Sequence, residues 1–93
     1  MLSIVLPAKN EAAALTHVLP ALRRSHPEAE IIVVDDGSTD DTAEICHQNG
    51  VKSLCQPYSM GNGAAIKRGA RAASGETIVF MDADGQHDPS LID

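Results

Sequence analysis

Apolar residues fall along the chain in four short runs, separated by stretches with helical spacing. Ile4-Val5-Leu6, Ile31-Ile32-Val33-Val34 and Thr77-Ile78-Val79-Phe80-Met81 are nearly unbroken, and Val51 to Cys55 is a weaker fourth run. Unbroken rather than alternating patterns suit parallel strands buried on both faces. After the first run, Leu15, Val18, Leu19 and Leu22 follow i, i+3, i+4, i+7 and predict an amphipathic helix to about Arg24. Asn10 is its expected cap, and Pro20 is expected to kink or shorten it, because proline lacks an N–H and crowds the preceding turn. Ser38, with Asp41 three residues on, resembles a capping box and predicts a second helix from about Thr39 to Gln48, stopping at Asn49-Gly50. A third helix, rich in small residues (Ala64, Ala65, Gly69, Ala70, Ala72, Ala73), follows Gly61-Asn62-Gly63 and ends at Ser74-Gly75. Such a helix can pack close to a sheet. Strands alternating with helices give an α/β class with right-handed crossovers and a mainly parallel sheet.

The polar motifs follow strand ends. Pro7 to Glu11, Asp35 to Ser38 and Asp82 to Asp88 each lie just after the carboxyl end of a predicted strand, where open α/β sheets bind ligands. With strand order 3-2-1-4, the first and fourth strands are neighbours, and the Asp82 loop faces the Asn10-Glu11 loop across one crevice. In Asp82-Ala83-Asp84 the two carboxylates stand at i and i+2, so in extended chain they can face the same way. Mg²⁺ and Mn²⁺ are commonly held by one or two carboxylates together with substrate phosphate oxygens, which asks few ligands of the protein. His87 is a poorer match for these hard ions than oxygen.

Other clusters stay open between two readings. Asp35 and Asp36 can accept hydrogen bonds from ribose hydroxyls or a base N–H, or can simply belong to a helix-entry loop with Ser38 as cap. Gly61-Asn62-Gly63 before a helix can cradle phosphate or form a tight turn; it lacks the third glycine of a dinucleotide fingerprint and the Lys-Ser/Thr of a P-loop. Lys67, Arg68 and Arg71 read as a solvated helical face and His17, His26 and His47 as surface residues. No Ser-His-Asp or Cys-His set can be argued from spacing.

Composition narrows the partners. The 93 residues suffice for one small domain, and no apolar run approaches the roughly 20 residues that cross a bilayer. A net charge of -6 disfavours non-specific attraction to nucleic acid or anionic lipid, so an anionic ligand needs a local remedy such as a metal ion. With Tyr58 and Phe80 the only aromatic side chains, a base-stacking platform for single-stranded nucleic acid has no material. The start of the chain shows no secretory pattern, and Cys46 and Cys55 read as buried free thiols in a reducing, cytoplasmic compartment.

Pro7-Ala8-Lys9-Asn10-Glu11, Val33-Val34-Asp35-Asp36-Gly37-Ser38-x-Asp40, Gly61-Asn62-Gly63-Ala64-Ala65-x-x-x-Gly69 and Asp82-Ala83-Asp84-Gly85-Gln86, in this order, resemble the motif set of the family 2 glycosyltransferases, particularly the dolichyl-phosphate mannose synthase-like enzymes. The resemblance implies a three-layer, Rossmann-like GT-A fold and metal-assisted transfer of a sugar from a nucleotide diphosphate donor, usually with inversion. It places Pro7, Glu11, Val34 and Asp36 at the base and ribose, with Lys9 where close relatives often carry an aromatic residue. Asp82, Ala83 and Asp84 would contact ribose and diphosphate. Asp84 and Gln86 would hold Mg²⁺ or Mn²⁺, with Asp82 a third candidate. Asn62 stands where many members have lysine.

Residues 1–93 then read as one partial domain, the donor-binding half, either truncated or a remnant of a longer enzyme. The acceptor, a polyprenyl phosphate or a saccharide, and the general base are expected beyond Asp93. In a full-length enzyme the location would be the cytoplasm or, peripherally, the cytoplasmic membrane face. The edge of the fourth strand is an expected place of self-association. The competing readings are a non-catalytic nucleotide-binding or assembly module, and a nucleotidyltransferase, whose Gly-rich basic loop after the first strand is absent from Pro7 to Glu11.

Overall fold

The computed structural model describes residues 1–83. Strand β1 (Leu2–Ala8) leads into α1 (Ala12–Ser25), β2 (Glu30–Asp35), α2 (Thr42–Gln48), β3 (Lys52–Cys55), α3 (Asn62–Ala72) and β4 (Thr77–Phe80). Among the described residues the sheet is wholly parallel and ordered β3-β2-β1-β4, as expected. Val5 of the central strand lies opposite Ile32 of β2 and Phe80 of β4.

Strand alternation divides the core between the two faces. Ile4, Leu6, Ile31 and Val33 pack with Leu15, Val18, Leu19 and Leu22 of α1 and Cys46 of α2. Val5, Ile32 and Val34 point the other way and pack with Ala65 of α3. The result is three layers, with the unbroken apolar runs explained by burial on both sides. The thiols differ from expectation in one respect: Cys46 is buried, but Cys55, at the end of the edge strand β3, is exposed.

Both prolines of interest are accommodated by position. Pro7 lies inside β1 instead of ending it. The Met81 N–H donates to the Val5 carbonyl and the Asp36 N–H to the Ala8 carbonyl, so odd positions of β1 face β4 and even ones face β2. Pro7 therefore faces β4's side, beyond the last paired residue Phe80, where its missing N–H costs no ladder bond. Pro20 neither breaks nor shortens α1, which continues to Ser25. The carbonyl it leaves unpaired belongs to Thr16, an exposed residue whose backbone water can reach, while the opposite face is held by four buried aliphatic side chains.

At the amino ends of the strands, Glu30 joins three elements. It accepts hydrogen bonds from the Ser74 N–H (2.7 Å), the Ser3 hydroxyl (2.9 Å) and Lys52 Nζ (3.0 Å). The Ser74 N–H first, then Lys52 and Ser3, hold its carboxyl down at about 2, against a smaller opposing effect of burial. A carboxyl depressed in the folded state contributes stability above its unfolded pKa and loses it as pH falls toward the folded one. Acid denaturation should therefore show a loss between pH 4.5 and about 2 that Glu30→Gln removes. After solvent screening, about 1–2 kcal/mol is expected. Identical stability-pH curves for the two proteins would contradict this role.

Candidate functional site

The loops after β1 and β2 are stitched to one another. Asn10 adopts a left-handed conformation, φ 55°. Its N–H donates to the Ser38 hydroxyl oxygen (2.9 Å), and its side-chain oxygen accepts from the Thr39 N–H (2.8 Å) and hydroxyl (3.3 Å). Asp40 accepts the Ala12 N–H at the start of α1 (3.2 Å) and the Thr42 N–H at the start of α2 (3.0 Å), together with the Thr42 hydroxyl. The Thr42 hydroxyl first, helped by these N–H groups, holds the Asp40 carboxyl below the usual range.

These contacts overturn the expected caps. Asn10 does not cap α1, Ser38 and Asp41 form no capping box, and α2 starts at Thr42 rather than Thr39. The two helices begin side by side at adjacent strand ends, so Asp40 reaches the Ala12 N–H across the loops as well as the Thr42 N–H two residues along the chain. Asp40 serves both helices.

The adjacent carboxylates Asp35 and Asp36 take separate tasks. Asp35 Oδ1 accepts the Ser38 N–H (2.9 Å) and shapes the loop into α2. Asp36, 6% exposed, accepts the Met60 N–H (2.7 Å), the Gly61 N–H (3.1 Å) and the Ser59 hydroxyl (3.1 Å). The Met60 N–H above all, then Gly61, Ser59 and the charge on Lys9, keep its carboxyl below the ordinary range, although burial alone would raise it. The Gly61 N–H, the group a phosphate cradle at Gly61-Asn62-Gly63 would use, is thus committed to Asp36. Arg68, unassigned by sequence, donates to the Cys55 carbonyl (2.7 Å) and Gln56 Oε1 (2.6 Å), tying α3 to the end of β3.

Above the β1 and β4 ends lies a cavity of about 380 Å³, lined by Pro7, Ala8, Lys9, Glu11, Asp36, Asn62, Asp82 and Ala83. Six residues expected at a ligand from sequence are therefore brought together: Pro7, Lys9, Glu11, Asp36, Asp82 and Ala83. Val34 is not among them, because its side chain is fully buried under α3, where β2 alternation points it. Asp84 and Gln86, together with His87 and Asp88, lie outside the described residues. Three acidic side chains and one basic one face this crevice, so a polyanion entering it meets net negative charge. Among the described residues no group of three or more Asp, Glu, His or Cys side chains is gathered as a self-sufficient metal cage. The Asp82 carboxylate at the crevice nevertheless suits a hard cation that takes its remaining oxygens from a phosphate. Sequence reasoning singles out Gly61-Asn62-Gly63 but misses the hydrogen bonds between Asp36 and the 59–61 turn, since nothing local links Asp36 to residues more than twenty positions away.

A parallel sheet ordered 3-2-1-4, with its acid-rich loops collected over the first and fourth strands, defines an α/β unit of the GT-A type. The chain belongs to glycosyl transferase family 2, whose family model matches residues 3–93. It is 42% identical over 97 residues to the dolichyl-phosphate beta-glucosyltransferase of Trichomonas vaginalis, a match covering 89% of this chain and 29% of the relative. Glucosyl-3-phosphoglycerate synthase from Mycobacterium tuberculosis, solved with Mn²⁺, uridine diphosphate and glucosyl-3-phosphoglycerate, superposes with TM-score 0.78 at 33% identity, covering 89% of this chain and 33% of that one. A mannosyltransferase from Pyrobaculum calidifontis, solved with GDP-mannose and Mn²⁺, superposes with TM-score 0.83 at 25% identity over 89% of this chain and 27% of that one. The chain spans less than two fifths of the length of these relatives, from 24% to 38% of the curated proteins. No helix among the described residues is long and apolar enough to cross a membrane.

Proposed function

We propose that this chain carries the donor side of a metal-dependent glycosyltransferase, taking a nucleoside diphosphate sugar in the crevice between β1 and β4. The observation that carries this reading is the crevice itself, where Pro7, Lys9, Glu11, Asp36, Asp82 and Ala83 converge from three separate strand ends. Asp82, with Asp84 and Gln86 further along the sequence, would hold Mg²⁺ or Mn²⁺. A cation bound there neutralises the diphosphate and improves it as a leaving group. Lys9 adds a positive charge at the crevice mouth, and Glu11 and Asp36 offer acceptors to the nucleoside. The acceptor oxygen would attack the anomeric carbon as its bond to the diphosphate oxygen breaks, which inverts the configuration. The activity for which the Trichomonas relative is named favours a polyprenyl phosphate acceptor, which would bring the protein to the cytoplasmic face of a membrane.

Calorimetry tests the donor side. Uridine or guanosine diphosphate should bind more tightly with Mn²⁺ or Mg²⁺ than with a chelator, and Asp84→Asn should abolish the difference. Equal affinity with and without metal, in protein shown to be folded, would overturn the reading.

A further inference from the structure

At the amino ends of β2 and β3, the opposite end of the sheet from the donor crevice, lies a second cavity of about 350 Å³, whose lining includes Arg23, His26, Glu30, Gly50, Val51 and Lys52. Among the described residues its charge is the reverse of the crevice's: Arg23 and Lys52 against Glu30 here, Lys9 against Glu11, Asp36 and Asp82 there. We propose that this cavity is a binding site for a phosphate group, anchored by Arg23 and Lys52 without a metal ion. The proposal stands apart from the donor-site reading, because roughly 15–20 Å of strand separates the two openings.

Three observations converge on it. The acidic group in the cavity is already provided for: Glu30 Oε1 accepts the Ser3 hydroxyl (2.9 Å) and the Ser74 N–H (2.7 Å), and Oε2 accepts Lys52 Nζ (3.0 Å). An ammonium carries three N–H donors, so Lys52, its side chain 45% exposed, keeps donors for a ligand. Arg23 has donors to spare as well, since its bond to the Asn49 carbonyl uses only part of a five-donor fork. Gly50 gives the guanidinium its place: at φ +67° its bare backbone admits Arg23 Nη1 to within 3.0 Å of where a Cβ would stand. The carbonyl ends of α1 and α2, which by themselves repel an anion, are also occupied. The Leu22 carbonyl accepts the His26 N–H, those of Ile45 and Cys46 accept the Asn49 N–H, that of His47 accepts the Gly50 N–H, and Arg23 covers Asn49.

The donors select the ligand. A guanidinium fork matches two oxygens of a carboxylate or a phosphate, and a carboxylate is then fully used. A phosphate has a third oxygen for Lys52 and a second negative charge to balance two cations. Titration of metal-free protein with inorganic phosphate, followed by the amide resonances, tests this away from the donor crevice, where net negative charge repels phosphate. Those of Gly50, Val51 and Lys52 should shift saturably while those of Lys9 and Glu11 stay in place, and acetate should bind severalfold more weakly. Shifts that do not saturate, that spread over the surface, or that acetate reproduces at the same concentration would overturn the proposal.

Two substitutions should move the affinity in opposite directions. Arg23→Gln removes the fork and should weaken phosphate about tenfold or more. Glu30→Gln removes the one negative charge beside it and should tighten phosphate severalfold, although it lowers stability, so a general loosening cannot produce both results. Arg23→Lys, which keeps the charge, should lie between Arg23→Gln and the parent and guards against a loss caused by the altered end of α2. Equal binding by Arg23→Gln and the parent, or weaker binding by Glu30→Gln, would contradict the site. Sedimentation with phosphatidylcholine vesicles, with and without phosphatidic acid, identifies the source of the group. Given a saturating titration, sedimentation that needs both phosphatidic acid and Arg23 assigns it to a lipid headgroup, and its absence assigns it to a free phosphate.

Discussion

Gly69→Ala is expected to destabilise the protein by roughly 1–3 kcal/mol, toward the upper end of the usual range for overpacking. Helix propensity predicts the opposite sign, since alanine in place of glycine in a helix interior gains up to about 1 kcal/mol. Packing decides the sign. A Cβ at Gly69 would stand 2.2 Å from Val5 Cγ1 and 3.2 Å from Val34 Cγ2. Both valines are fully buried, and Val5 sits on a strand flanked by β2 and β4, so neither its stiff side chain nor its backbone can retreat. The helix must lift from the sheet, loosening Ala65 as well. Urea unfolding at unchanged m-value measures the cost, and Val5→Ala in the same chain should couple favourably with Gly69→Ala because the clashing methyl is gone. A Gly69→Ala protein as stable as its parent would show that the close approach is not there.

Lys9→Glu should weaken binding of a nucleoside diphosphate about tenfold or more, equivalent to about 1.4 kcal/mol. Among the described residues Lys9 is the one cationic side chain lining the crevice, against Glu11, Asp36 and Asp82. A unit charge pair about 6 Å apart is worth about 3 kcal/mol at an effective dielectric of 20, and exposure of Lys9 to water and salt reduces that by about half. Lys9→Met should fall between the two. The loss should shrink as salt is raised and should be absent for the uncharged nucleoside, uridine. Equal weakening of uridine and its diphosphate would assign Lys9 to the base rather than to the phosphates.

The helix around Gly69 was legible in kind: a run of small residues announces a close approach, but not which side chains fill the space. The three loops of the crevice were likewise legible, because each follows an apolar run, and a sheet ordered 3-2-1-4 brings the first and fourth strand ends together. Caps were misread. A residue such as Ser38 or Asn10 advertises hydrogen-bonding capacity in sequence, yet its partner is chosen by distance in space, and adjacent loops offered closer partners than the following helix did. Val34 was placed at the ligand by the family resemblance; the two-residue alternation of a strand turns its side chain into the core against α3.

By itself the sequence determined the α/β class, the four strands, the helix that spans Leu15 to Leu22 and the identity of the loops that carry acidic residues. These follow from local periodicity and from the chemistry of single side chains, which act over a few residues. Only the tertiary structure decided that Asp40 joins two helices, that Glu30 ties Ser3, Lys52 and Ser74 together, and that Asp36 holds the turn at Ser59 to Gly61. Each of these carboxylates accepts from at least one donor far away along the chain, because a charge takes whatever hydrogen-bonding groups folding delivers within reach, and sequence distance does not enter that energy.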